Sequence, residues 1–132
     1  MIVVDTSAIM AILLNEPEAD ACIAALEGEE GAIMMSSGTL AETLIVAGRR
    51  NVGAEARRLI EGLGIEIALV TAASAKRVAD AYARWGKGVH PAGLNFGDCF
   101  AYEIAKERNC PLLFVGDDFG RTDVDRQLPC GG

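Results

Sequence analysis

The chain opens Met1-Ile2-Val3-Val4-Asp5-Thr6-Ser7-Ala8, and the reading of this stretch decides the fold. Residues 1–4 are apolar without a break, as in a strand buried on both faces at the centre of a parallel sheet. An aspartate follows at once, then two hydroxyl residues, then an apolar run over 8–14 that reads as a helix. Asn15-Glu16-Pro17 interrupts it, and the pattern predicts a second helix over 18–27 with Pro17 at its first position. Further out the alternation continues. Strands are predicted over 32–36, 66–70 and 111–115. Helices are predicted over 39–50, 54–63, 72–85 and 96–108, with Gly64 closing the second of these and a Gly- and Pro-rich loop over 87–95. Strands alternating with helices of this size mean an α/β fold with a mostly parallel central sheet.

At 132 residues the chain is long enough for one domain over 1–132 and too short for a second core. Its 51% apolar and 23% charged residues exclude a disordered chain. A net charge of −7 and a pI near 4.6 argue against a nucleic-acid coat protein or a membrane-surface binder. No apolar run is long enough to span a bilayer, and the start lacks a basic segment and a cleavage pattern, so the expected location is the cytoplasm. Cys22, Cys99, Cys110 and Cys130 form no CxxC pair, and the one histidine, His90, completes no zinc spacing; reduced, packed thiols are expected. Asp118-Phe119-Gly120 spells a kinase triplet, but the glycine-rich loop and catalytic segment that belong with it are missing.

Charge is distributed unevenly. The first 30 residues hold seven acids and neither Lys nor Arg. Basic residues gather at Arg49, Arg50, Arg57 and Arg58, then at Lys76, Arg77, Arg84, Lys87 and His90. They read either as solvated helix faces or as a local phosphate-facing patch. Trp85, Tyr82 and Tyr102 fall at helical spacing, which favours core packing over base stacking.

The positions of certain acids carry the functional information. Asp5 follows the first strand and Asp117-Asp118 follow the last. Asp98 lies in the first turn of the helix after Asn95-Phe96-Gly97, and Glu42 near the start of the helix after the second strand. In open α/β sheets the ligand crevice lies outside the carboxyl ends of the strands, so acids from four segments are expected at one edge. Each has a plain alternative. Asp5 would serve as a helix N-cap. Thr39-Leu40-Ala41-Glu42 fits a capping box, Asp98 complements a helix dipole, and Asp117-Asp118 suit a turn. Four independent local roles do not explain a shared edge. Clustered carboxylates repel and take up protons unless a cation sits among them. Oxygen-only donors favour Mg²⁺, with Mn²⁺ able to substitute. Such an ion lowers the pKa of water and offsets charge on an attacked phosphate, so phosphodiester hydrolysis follows most simply.

These segments, read together, resemble the PIN-domain proteins, and more narrowly the VapC-type toxin ribonucleases of bacterial toxin–antitoxin systems. The resemblance rests on Val3-Val4-Asp5-Thr6-Ser7-Ala8 with Glu16-Pro17, on Glu42, on Gly93-Leu94-Asn95-Phe96-Gly97-Asp98-Cys99-Phe100, and on Leu112-Leu113-Phe114-Val115-Gly116-Asp117-Asp118-Phe119 followed by Thr122-Asp123-Val124. It implies a three-layer α/β/α PIN-like fold and a Mg²⁺-dependent endoribonuclease. It makes Asp5, Glu42, Asp98 and Asp117 the catalytic and metal-site acids, with Asp118 in reserve for Asp117. Thr6 or Ser7 would orient Asp5 or a water, and Asn95 would support the same edge. It further implies an RNA substrate, a homodimer, and inhibition by a cognate VapB-type antitoxin, which alone contacts operon DNA. The rivals are a catalytically silent α/β module that binds protein or RNA, and a PIN nuclease acting on DNA or in RNA processing. On a chain this acidic, RNA binding is expected to be local and less dependent on salt than that of a highly basic nuclease.

Overall fold

A computed structural model describes residues 1–127, so Cys130 lies outside the described residues. Strands β1 (Ile2–Val4), β2 (Ile33–Ser36), β3 (Glu66–Ala68) and β4 (Leu112–Leu113) form one sheet in the order β3-β2-β1-β4, and every neighbouring pair runs parallel. Between β1 and β2 lie α1 (Thr6–Leu13) and α2 (Ala19–Glu27). Between β2 and β3 lie α3 (Ser37–Arg49) and α4 (Gly53–Gly62). Between β3 and β4 lie α5 (Ala72–Trp85) and α6 (Phe96–Arg108), and a short 3₁₀ turn at Phe119–Arg121 follows β4.

The two faces of the sheet follow from strand periodicity. Val3, Met34 and Leu112 pack with Val78, Trp85 and Ile104 of α5 and α6. Their chain neighbours Ile2, Val4, Met35 and Leu113 pack with Ile9, Cys22 and Ile60 of α1, α2 and α4. Side chains alternate across a strand, so a fully apolar β1 feeds both cores and the chain forms three layers, α/β/α. Cys22, Cys99 and Cys110 are buried free thiols within these cores. Trp85 and Tyr102 are core residues as well. Trp85 Nε1 donates to Tyr102 Oη at 2.9 Å, and Tyr102 donates to Asp123 Oδ1 at 2.6 Å.

The predicted borders of α5 and α6 agree with the structure, and several others shift for local reasons. α1 begins at Thr6, not at residue 8, because Asp5 is its N-cap. α3 begins at Ser37, not 39, because the Ser36 hydroxyl accepts from Gly38 N–H at 3.2 Å. α2 begins at Ala19, so Pro17 precedes the cap Glu18 instead of opening the helix. β3 stops at Ala68, and the Val70 N–H donates to the Ser37 hydroxyl at 3.0 Å. β4 is reduced to two residues because the next free donor, Val115 N–H, goes to Ser7 Oγ at 3.0 Å.

The sheet order fixes where a ligand crevice opens. From β1 the chain steps one way to β2 and β3, then returns to β4 on the other side of β1. The switch point therefore lies between β1 and β4, where the segments leaving the two strands diverge. Asp5 leaves β1 at this point.

Candidate active site

Asp5 is 3% exposed and is held from one side only. Its Oδ2 accepts from Ser7 N–H at 3.0 Å and from Ser7 Oγ at 2.7 Å. Ser7 Oγ also accepts from Val115 N–H, so one hydroxyl ties Asp5 to the chain leaving β4. The other oxygen, Oδ1, is buried without a hydrogen-bond partner. Burial, with the charge of Glu42 adding to it, raises the Asp5 carboxyl from 3.8 to about 6, against the lowering effect of the Ser7 bonds.

Glu42 comes from α3, one turn further along than an N-terminal cap would be. The capping box expected from Thr39 and Glu42 does not form, because Ser36 caps the helix and Thr39 Oγ1 is buried without a partner. Glu42 Oε1 instead accepts from Thr6 Oγ1 at 2.7 Å, and Thr6 Oγ1 lies 2.9 Å from Thr43 Oγ1. Thr6 thus serves Glu42, and Ser7 serves Asp5.

Asp98 and Asn95 form the capping box of α6. Asp98 Oδ2 accepts from Asn95 N–H at 2.9 Å, and Asn95 Oδ1 accepts from Asp98 N–H at 2.8 Å. Burial, reinforced by the charges of Asp5, Glu42 and Asp118, raises the Asp98 carboxyl from 3.8 to about 7. The charge of Asp118 is one of those that act on Asp98, and Asp117 and Asp118 are both exposed. Gly97 meets Glu42 directly, and a Cβ on that residue would overlap the Glu42 carboxylate. Gly38 does the same for the Phe100 ring. The two glycines let α3 and α6 approach closely enough to bring Glu42 beside Asp98.

At the carboxyl edge of the sheet, Asp5 thus lies within the field of Glu42, and Asp98 within the field of Asp5, Glu42 and Asp118. Among the described residues no salt bridge reaches Asp5, Glu42, Asp98, Asp117 or Asp118. Nor do three His, Cys, Asp or Glu side chains among them come together as a ready-made metal cage. Mg²⁺ does not require one, since it keeps several waters and takes one or two carboxylates. A carboxylate oxygen of Asp5 buried without a donor, close to other acids, matches a hard cation in charge and donor type. Of the basic residues proposed for phosphate contact, Arg84 is taken up by the Trp85 ring at 4.5 Å and Asp123 at 3.9 Å, whereas Arg49 is exposed near Glu42 on α3.

The PIN domain model matches residues 2–125. The chain belongs to the PIN-domain family. Within that family it is 39% identical over 124 residues to Ribonuclease VapC30 of Mycobacterium tuberculosis, covering 92% of this chain and 95% of that protein. A crystal structure of Mycobacterium tuberculosis VapC20, described as a sarcin-ricin loop cleaving toxin, matches with a TM-score of 0.81 at 17% identity, over 98% of this chain and 100% of that one. A chain of a toxin–antitoxin complex from Klebsiella pneumoniae matches with a TM-score of 0.70 at 17% identity, over 93% of each chain. The PIN fold and the VapC kinship expected from the Asp-Thr-Ser, Asn-Phe-Gly-Asp and Gly-Asp-Asp segments therefore hold. The sequence reading did not single out Gly97 or Thr43 for a role. A small residue before Asp98 and a hydroxyl next to Glu42 were the available signals. No helix among the described residues is long and apolar enough to cross a membrane.

Proposed function

We propose that this chain is a metal-dependent endoribonuclease that hydrolyses RNA phosphodiester bonds, the toxin of a VapBC-type module. The observation that carries the reading is the buried, half-satisfied Asp5 carboxylate at the switch point of a PIN fold, with Glu42, Asp98 and Asp118 acting on the same site. These oxygens would hold Mg²⁺, or Mn²⁺ in its place, with Asp118 in the position that the sequence alone gives to Asp117. Such an ion, when bound, activates water at neutral pH and offsets charge on the attacked phosphate. The protein's part is to fix the oxygens. Ser7 locks Asp5 by two bonds, Thr6 aims Glu42, and Asn95 holds Asp98 at the start of α6.

The rest of the reading draws on kinship. VapC30 is named a ribonuclease and VapC20 a cleaving toxin, and a fold neighbour was solved with an antitoxin. By that kinship the chain forms a homodimer, is inhibited by a VapB-type antitoxin, and meets operon DNA only through it. A silent module is the rival, because Asp5 and Asp98 both cap helices. Capping uses one oxygen of each, however, and gives no reason to bury Asp5 Oδ1 without a partner.

The test is purified protein incubated with Mg²⁺ or Mn²⁺ and a panel of RNAs and DNAs. Cutting of RNA, abolished by chelator and by Asp98→Asn with the fold intact, is expected. Full activity in Asp98→Asn would remove that residue from the site, and cutting of DNA alone would point to the other PIN nucleases.

A further inference from the structure

A groove of about 340 Å³ runs between α3 and α6 and shares Glu42 and Gly97 with the acid site. Its walls are apolar, from Ala41, Ile45, Phe96 and Phe100, and Arg49 borders it. Three features single this groove out. Phe96 is 70% exposed and Ile45 is 57% exposed, so neither serves the core. The Phe96 ring is braced edge-on by Phe100, with centroids 4.9 Å apart, and Phe100 is seated against Gly38. Arg49 makes no ion pair among the described residues, and it lies seven residues beyond Glu42 on the same helix, two turns or ~10 Å along one face.

We propose that this groove is the subsite for the nucleotide next to the scissile phosphate, with its base stacked on Phe96 beside Ile45 and a neighbouring phosphate drawn to Arg49. The inference rests on the ribonuclease reading above and goes on to say how the RNA is held. The groove borders the Glu42 carboxylate on one side, so a phosphodiester held at the acids can lay an adjoining nucleotide along it. A braced, solvent-facing aromatic ring paired with an unpartnered arginine is the combination that binds single-stranded nucleic acid by stacking and charge. It also explains how a chain of net charge −7 can bind RNA with few cations.

The experiment uses short single-stranded RNA oligonucleotides. Binding is measured in the cleavage-dead Asp98→Asn background and turnover in the parent. Phe96→Ala is expected to weaken binding roughly 5- to 100-fold, to raise KM more than it lowers kcat, and to leave thermal melting unchanged because the ring lies outside the core. Phe96→Trp should keep binding, and its fluorescence should be quenched by RNA. An abasic site next to the cut should cost the parent affinity and cost Phe96→Ala none. Arg49→Gln should flatten the salt dependence by about one phosphate contact. If the parent cuts RNA while Phe96→Ala binds and cuts as well as it does, the groove serves another occupant, such as a protein chain, and the proposal falls while the ribonuclease reading stands. If the parent neither binds nor cuts RNA, both fall together.

Discussion

Thr6 Oγ1 stands 2.7 Å from Glu42 Oε1 and 2.9 Å from Thr43 Oγ1, so a single hydroxyl links the first residue of α1 to the second turn of α3. With Glu42 ionised, Thr6 donates to the carboxylate and accepts from Thr43. The chain of hydroxyls then points its protons at the negative charge. Thr43 also lies 2.8 Å from the Thr39 carbonyl, which takes its proton when Thr6 does not.

Thr6→Val keeps the shape of a buried side chain and removes that donor. Glu42 is then free to rotate, and losing such a supporting bond to a site carboxylate typically costs 10- to 100-fold. We expect a loss of that size in RNA cleavage, mostly in kcat, and near-parental activity in Thr6→Ser. Steady-state cleavage kinetics check it, and an unchanged kcat in Thr6→Val would make the contact incidental.

The raised carboxyls of Asp5 and Asp98 make a stability prediction with a definite sign. Each binds its proton more tightly in the folded state than an unfolded chain does, at about 6 and about 7 against 3.8. Their contribution is therefore whole below the unfolded value and is lost as pH rises through 6 and 7. Glu29 and Asp123 are shifted the opposite way, so their effects fall below the ordinary carboxylate range and outside this window. In chelator, the Tm should fall by several degrees between pH 5.5 and pH 8. Excess Mn²⁺ should restore it at pH 8 and do little at pH 5.5, because an ion that binds only the folded state stabilises it by mass action. Asp98→Asn should flatten the profile. Melting curves across this range are decisive, and a Tm that rises with pH in chelator would contradict the electrostatic account.

How much of this was legible in the sequence depends on whether the signal was local. α5 and α6 could be bounded to the residue because their capping pairs, Thr71 with Ser74 and Asn95 with Asp98, lie three positions apart. The starts of α1 and α3 were read two residues late, because their caps are the last residues before the helix turns directly off a strand. Thr6-Ser7 and Ser37-Gly38 look like loop chemistry until Asp5 and Ser36 are seen to cap them. β4 was overestimated because the residue that takes its next donor, Ser7, is 108 positions away. The acids themselves were legible as strand-end residues. Their supports, Thr43 and Gly97, were not, because their roles exist only once α3 and α6 pack together.

Gly97→Ala tests that packing. Glycine at this position is needed for space, since an added methyl would occupy the volume of the Glu42 carboxylate. Either Glu42 swings away from Thr6 or the start of α6 backs off, and both move Glu42 relative to Asp98. We expect a loss of at least 10-fold in cleavage with a modest fall in Tm, since Gly97 is only half-buried and lies outside the core clusters. The paired measurement separates a displaced site from a collapsed fold. Parental activity in Gly97→Ala would show that Glu42 can give way at no cost.

The adjacent acids after β4, Asp117 and Asp118, give different expectations on substitution. The charge of Asp118 reaches Asp98, and burial of Asp98 makes it sensitive to that charge. Asp118→Asn removes one of the three charges that, with burial, raise the Asp98 carboxyl, so it should lower the pH at which Asp98 titrates in the metal-free protein. It should also weaken Mn²⁺ binding, because a cation among four acids loses one of its counter-charges. Asp117→Asn should do neither to a comparable extent. Calorimetric titration of Mn²⁺ into the two variants ranks them directly. Cleavage rates at saturating metal then tell whether Asp118 acts by recruiting the ion alone, in which case the rate recovers, or is also needed once it is bound. If Asp117→Asn proved the more damaging substitution on both counts, the fourth acid would be Asp117, as the sequence alone places it.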